Sequence, residues 1–147
     1  MNFEPMAHGM KKYTNLFLLL ILLMGSCSKE KSSEIKENLI LDYMTAGSWV
    51  LDFFTASAVS ILPEYDGYTF QFNRNGTVIA TKGSVAVTGT WFGNQDDVTV
   101  TAEFPQGSGP LLRLNATWYL YNTTLNSVQA RAISTQYFYS IRLVRKP

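Results

Sequence analysis

An all-β domain, built as an antiparallel up-and-down barrel of about eight strands, is the fold class that the sequence predicts for residues 46–147. Apolar and polar residues alternate there in short runs, and Gly, Asn and Pro turn signals separate the runs. No long helical pattern lies among them. Closure into a barrel removes exposed strand edges, which favours it over the alternative, a two-layer β-sandwich.

Aromatic residues at alternate positions mark the first two candidate strands. In residues 49–53 every second residue is apolar, so Trp49, Leu51 and Phe53 are expected to share one face. Residues 68–72 alternate aromatic with polar side chains in the same way. Asn75-Gly76 then predicts a tight hairpin turn, because both residue types tolerate positive φ.

The six remaining candidate strands follow at short intervals. Residues 77–82 return from that hairpin, and a turn at residues 83–84 leads to the strand over residues 85–91. The polar run 93–97 precedes a fifth strand, in which alternation is expected to place Val98, Val100, Ala102 and Phe104 on one face. After a Gly/Pro loop, alternation resumes in residues 116–122, 128–133 and 137–144.

The N-terminus has the pattern of a secretory signal. Residues 16–24 are all apolar, with Lys11 and Lys12 just before them and small residues just after. Such a run is too short to span a membrane as a helix. We therefore expect residues 1–26 to be a signal peptide. Met10 followed by two lysines is itself a typical signal start, so Met1 and Met10 both remain candidate start sites, with residues 1–9 an upstream extension in the second case.

Removal of residues 1–26 from the 147-residue chain leaves 121 residues with ten basic and ten acidic side chains. His8, the only histidine, leaves with the signal, which excludes Ser-His-Asp and Cys-His mechanisms. It also excludes His-containing zinc sites, and one cysteine cannot form an intrachain disulfide. Neutral charge without a basic block argues against nucleic acid binding. We expect no enzyme activity, no metal and no cofactor.

Met24-Gly25-Ser26-Cys27 resembles the lipobox of bacterial lipoproteins, and the Ser-Cys-Ser-Lys junction resembles those of the Bacteroidetes. The resemblance implies that Cys27 becomes the first residue and carries diacylglycerol and a further acyl chain. Each buried CH₂ contributes ~0.8 kcal/mol, so two or three chains anchor a protein stably in a membrane. The expected location is the outer membrane of the cell envelope, with periplasmic and surface exposure both left open.

Between the lipidation site and the barrel lies a polar segment, so residues 27–45 are expected to form a lipidated tether with a short helix. Ile35, Leu39 and Ile40 fall at helical spacing within residues 34–44. A short helix packing at the mouth of the barrel is the interpretation that we favour for this segment.

The barrel region is similar to the lipocalin-like lipoproteins of Bacteroidetes. Gly47-Ser48-Trp49 matches the Gly-x-Trp signature of lipocalins, and further matching motifs occur, in order, at residues 66–73, 75–78, 88–91 and 114–118. The resemblance implies an arginine of the last strand packed over Trp49, with Arg142 and Arg145 as the two candidates.

Five aromatic residues are candidates to line a ligand cavity at inward positions of the barrel: Trp49, Phe70, Phe72, Trp91 and Trp118. A well-packed core needs the same residues. The leading hypothesis from the sequence is a lipid-anchored, non-enzymatic protein that binds a small apolar ligand. The alternative is a filled barrel that binds or inhibits an envelope protein.

An acidic pair and an aromatic run each have a functional interpretation and a simpler structural one. Asp96-Asp97 has the oxygen ligands that Ca²⁺ prefers, and with Glu103 it would supply the carboxylates of a hydrolase. A polar hairpin turn explains the acid pair equally well, and we favour that interpretation. Residues 137–139 read Tyr-Phe-Tyr. They are candidates for an exposed aromatic patch that contacts a partner or glycan, but alternating tyrosines are also ordinary in a strand.

Overall fold

The computed structural model describes residues 39–133 and 136–147, all within the unit Ser33–Pro147. Their strands form one antiparallel sheet, in which each strand pairs with its neighbour and β1 also pairs with β9 over most of its length. The predicted antiparallel barrel is confirmed, and the sandwich alternative is not formed. The strands are β1 (Ser48–Ala56), β2 (Val59–Ser60), β3 (Tyr68–Phe72), β4 (Thr77–Lys82), β5 (Val85–Asn94), β6 (Thr99–Glu103), β7 (Ala116–Thr124), β8 (Ser127–Ile133) and β9 (Tyr139–Arg145).

The short strand β2 is the one addition to the predicted set. It forms a hairpin with the end of β1, where Thr55 pairs with Ser60 and Ala56 with Val59. β1 therefore pairs with β3 only at Ser48 and Trp49, while its other edge pairs with β9 along its length. β2 is too short to produce an alternation signal in the sequence.

A β-bulge in β1 changes which aromatic residue enters the core. The register with β9 shifts between Leu51 and Phe53, so Asp52 is the extra residue. Phe54, not Phe53, is then fully buried, and Phe53 is 41% exposed on the outer wall. The expectation that Phe53 shares the inward face of Trp49 was wrong, because one inserted residue reverses the alternation beyond it.

Gly89 permits a close approach between β5 and the end of β6. A Cβ atom built at this position would lie 2.3 Å from the carbonyl oxygen of Glu103 and 2.8 Å from the ring of Phe104. Phe104 is almost fully buried beside it. The residue is therefore a glycine because the strand has no room for a side chain on its inward side.

Three short helical segments close the ends of the barrel. Residues 39–45 are helical and lie at the end where β1 begins. Two 3₁₀ helices, Leu62–Tyr65 and Gly109–Leu114, lie at the opposite end. No helix among the described residues is long and apolar enough to cross a membrane.

Val98 occupies the turn between β5 and β6 with a φ of 54°, a left-handed conformation that β-branched residues rarely adopt. It is 42% exposed, so it does not continue the inward face of Val100 and Ala102 as the alternation predicted.

A glycine has no Cβ to clash in this conformation. We expect Val98→Gly to raise the free energy of unfolding by about 1 kcal/mol, measured by urea denaturation.

The matched control for this prediction is Val85→Gly, which removes an exposed valine from the start of β5. There the glycine should lower stability, since it adds backbone entropy without relieving strain. A loss of stability in Val98→Gly equal to that in Val85→Gly would contradict the account of strain at Val98.

Candidate functional site

The interior of the barrel contains all five aromatic residues that the sequence singled out. Their side chains are buried, from fully buried for Trp49 to 7% exposed for Phe72. Phe72 and Trp91 meet edge to face with ring centroids 5.3 Å apart, a favourable aromatic geometry. These residues pack against one another in a continuous core, which is the simpler of the two interpretations of the aromatic content.

Each of the three tryptophans directs its indole N–H to a backbone carbonyl oxygen. Trp49 Nε1 donates to Met44 O at 2.8 Å, Trp91 Nε1 to Asn73 O at 3.0 Å, and Trp118 Nε1 to Leu114 O at 3.1 Å. Buried polar groups need such partners, and these bonds fix the indole rings in place. None of the three donors is therefore available to orient a ligand inside the barrel.

The void left inside the barrel has a volume of about 40 Å³ and a wall that is almost entirely apolar. Phe70, Phe72 and Trp118 line it, whereas Trp49 and Trp91 are not part of its wall. Pockets that hold small-molecule ligands usually measure roughly 300–1,000 Å³. The interior of this barrel is therefore too small, as it stands, for a fatty acid or a ligand of similar size.

At the end of the barrel that the helix of residues 39–45 covers, Trp49 of β1 contacts both that helix and β9. Its ring is covered by the guanidinium of Arg145, whose Cζ lies 5.3 Å from the ring centroid, while Met44 of the helix accepts its hydrogen bond. Met44 is itself 2% exposed. Of the two candidate arginines, Arg145 makes the cation–π contact, because its position faces Trp49 in the β1–β9 register.

At the opposite end of the barrel, the two 3₁₀ helices are joined by a hydrogen bond and an ion pair. The hydroxyl of Tyr65 donates to Pro110 O at 2.8 Å, and Arg113 forms an ion pair with Glu64. Tyr65 also stacks on Phe54 with ring centroids 4.8 Å apart. Burial raises the pKa of the Tyr65 phenol well above its usual range, so it stays protonated and remains a donor.

The acidic candidates do not form a catalytic pair. Asp96 and Asp97 lie in the turn before β6, where Asn94 Oδ1 accepts hydrogen bonds from both backbone N–H groups. Glu103 is at the far end of β6, and the strand from Thr99 to Glu103 alone separates it from the turn by roughly 13 Å. Two carboxylates of a glycosidase lie roughly 5–9.5 Å apart. Within the described residues, no group of three or more His, Cys, Asp or Glu is placed to hold a metal ion.

The outer wall formed by β7, β8, β9 and β1 combines aromatic residues with arginines. Phe53 faces Arg142 across the β1–β9 ladder. Arg142 Nε donates to Asp52 Oδ1 at 2.7 Å, and this hydrogen bond raises the pKa of the arginine. Tyr121, 50% exposed, lies at a bulge in β7 on the same side. We call these four residues the outer wall patch. The bulges at Leu51/Phe53 and Leu120/Asn122 create it, and alternation alone does not predict it.

Two grooves on the outside of the barrel are larger than the void inside it. One, of about 170 Å³, lies between the helix and β5 and is lined by residues that include Ile40, Phe92 and Gln95. The other, of about 280 Å³, lies over β6 and β7, next to Thr101 and Thr117. The space that remains for recognition is therefore mainly on the outer surface. Cys27, the predicted lipidation site, lies outside the described residues.

Comparison with known proteins finds a similar fold in the crystal structure of a DUF4847 family protein from Bacteroides vulgatus. The two structures superpose with a TM-score of 0.56 at 15% sequence identity, over 73% of this chain and 97% of that chain. This likeness is to the fold. No family model matches the sequence, and no curated protein matches it.

Proposed function

We propose that this chain is a lipid-anchored, non-enzymatic protein of the bacterial cell envelope whose filled, lipocalin-like barrel binds partners with its outer surface. The observation that carries the proposal is the interior void of about 40 Å³, far below the volume of a usual ligand pocket. The three indole N–H groups bonded to backbone carbonyls support it, since none of them is left to orient a ligand inside.

The anchor in this proposal rests on the sequence. The basic, apolar and small-residue order of residues 11–26 is that of a signal peptide, and Cys27 stands where lipoproteins are acylated. Acyl chains on Cys27 would hold the domain at the outer membrane through the tether of residues 28–38. A fold shared with a protein of Bacteroides vulgatus agrees with a bacterial source.

The surface best suited to a protein partner is the outer wall patch of Asp52, Phe53, Tyr121 and Arg142. Aromatic residues and arginine are enriched in the energetically important centres of protein interfaces. Phe53 and Tyr121 are about half exposed, so they have apolar area to lose on binding. Asp52 already fixes the Arg142 guanidinium, which reduces the entropy lost when a partner contacts it.

A filled barrel predicts that apolar ligands leave the tryptophans undisturbed. We expect titration of the mature chain with palmitic acid, or with the apolar dye N-phenyl-1-naphthylamine, to produce no saturable change in tryptophan emission. The reason is that all three indoles are buried, the void cannot admit either molecule, and the outer groove that Trp91 also lines measures only about 170 Å³. The measurement is a fluorescence titration, with free N-acetyltryptophanamide as the control for direct quenching.

The competing hypothesis, a barrel that holds a small apolar ligand, predicts the opposite result. Saturation at one ligand per chain, with a shift of the emission maximum that persists in Trp91→Phe, would show that the interior opens to admit the molecule, because Trp91 also lines an outer groove. That result would replace the proposal of outer-surface binding with the hypothesis of an internal ligand.

A further inference from the structure

The two most exposed large apolar side chains in the described residues lie at the same end of the barrel. Phe138 is 85% exposed and Val59 is 67% exposed. The backbone joins them, because the N–H of Ser57, in the β1–β2 turn, donates to the carbonyl oxygen of Phe138 at 3.0 Å. We call Val59, Tyr137 and Phe138 the apolar tip. Exposed apolar clusters of this kind usually mark a contact surface.

The two segments that form this tip contain no charged residue. Residues 55–61 and 136–141 are made of Ser, Thr, Ala, Val, Ile, Gln, Tyr and Phe alone, in a chain that is 16% charged. Transfer of such a surface out of water therefore requires no ion to lose its hydration. At the same end of the barrel, Glu64 and Arg113 form an ion pair, so their charges offset each other.

The tip is presented on a fixed backbone. Ser57 and Ala58 have φ values of 47° and 70°, the positive φ at both central positions of a two-residue hairpin turn. Tyr137 contacts Tyr139 with ring centroids 5.8 Å apart, and Tyr139 meets the buried Phe54 edge to face. Tyr137 is thus connected to the core through Tyr139, so its side chain loses little order when the tip meets a surface.

We propose that the apolar tip inserts into the neutral interface of a lipid bilayer, with Phe138 as its main anchor. Tyr suits the boundary between headgroups and acyl chains, and Phe gains from the removal of its apolar surface from water. A protein partner is a weaker fit at this end, because the tip lacks the arginine and ion pair that the outer wall patch has.

The tether length is compatible with this contact, a step that rests on the proposed lipid anchor at Cys27. The tether, residues 28–38, ends at the helix, on the opposite end of the barrel from the tip. A segment of eleven residues reaches at most about 36–40 Å, and the nine residues of β1 span about 30 Å. A tether of this reach therefore lets the tip at the far end of the barrel contact the bilayer that holds the acyl groups. Weak insertion suffices there, since anchoring gives a high effective concentration.

The first test uses the mature chain without lipid, as Cys27→Ser, mixed with large vesicles of phosphatidylcholine. We expect sedimentation with the vesicles that added salt does not reduce. Phe138→Ser in this background should weaken binding about tenfold, because one aromatic side chain no longer leaves water. Phe92→Ser is the matched control: Phe92 is 62% exposed, but on the wall of β5, and its loss should leave binding unchanged.

A second measurement covers the case in which binding without the lipid anchor is too weak to detect. The acylated chain is placed in phosphatidylcholine vesicles with brominated acyl chains, as Phe138→Trp or Phe92→Trp. The native tryptophans are buried and common to both variants. Bromine should quench emission more in Phe138→Trp, since only that position enters the bilayer.

Three results would overturn the proposal of membrane insertion. Equal quenching in the two tryptophan variants would show that the tip stays in water. Equal loss of vesicle binding in Phe138→Ser and Phe92→Ser would show that the contact is not made by the tip. A concentration-dependent dimer that Phe138→Ser abolishes would assign the tip to a second copy of the chain. Because the first test uses unlipidated protein, its outcome does not depend on the anchor or on the filled barrel.

Discussion

Trp49→Ala is expected to lower the free energy of unfolding by about 3–5 kcal/mol, the range for truncating a large buried aromatic side chain. Trp49 is fully buried, donates a hydrogen bond to Met44 O and lies under Arg145. Its loss would leave a cavity, remove the hydrogen bond between the barrel and the helix of residues 39–45, and leave the guanidinium of Arg145 without its aromatic partner. Urea denaturation followed by circular dichroism measures the change.

Two controls separate these contributions of Trp49. Trp49→Phe keeps most of the apolar volume but removes the N–H donor, so it should cost less than the alanine variant. Phe92→Ala removes an aromatic residue from the exposed wall and should change stability by no more than about 0.5 kcal/mol. A loss below about 1 kcal/mol in Trp49→Ala would mean that this end of the barrel is not held together through Trp49.

Alternation of apolar residues predicted the strands because successive side chains of a strand point to opposite faces of the sheet. In a barrel only the inner face is buried, so apolar residues recur at every second position. The pattern fails where the backbone inserts a residue. The bulge at Asp52 moves Phe54 into the core and Phe53 out of it, and no local sequence signal distinguishes these adjacent phenylalanines. Val98 fails for a different reason, since it lies in a turn and adopts a conformation that its residue type disfavours.

The sequence predicted which aromatic residues lie inside the barrel, but not whether they line a ligand cavity or fill the core. Inward positions identify Trp49, Phe70, Phe72, Trp91 and Trp118, and all five are buried. Whether such residues surround a ligand or fill a core depends on the volume they leave, which no sequence pattern encodes. The same holds for the choice between Arg142 and Arg145, because the register of β9 against β1 decides which arginine faces Trp49.

Tyr65 illustrates a second limit of sequence reasoning. Its hydroxyl reaches Pro110, 45 residues along the chain, and its ring stacks on Phe54. Long-range contacts of this kind arise from the topology of the sheet, which brings the 61–67 and 104–115 connections to the same end. A tyrosine followed by Asp-Gly is an ordinary turn sequence, so nothing local in it predicted a residue that closes the barrel.

The claim that the barrel is filled is tested most directly by placing a large side chain inside it. Ala130 lies in β8, is 1% exposed and lines the void of about 40 Å³. Because a benzyl group exceeds that space, we expect Ala130→Phe to lower the free energy of unfolding by about 3 kcal/mol through overpacking. Ala86→Phe, on the exposed face of β5, is the control and should leave stability nearly unchanged. Urea denaturation that shows Ala130→Phe to be as stable as the parent, or more stable, would mean that the interior has room for a ligand, and would contradict the filled barrel.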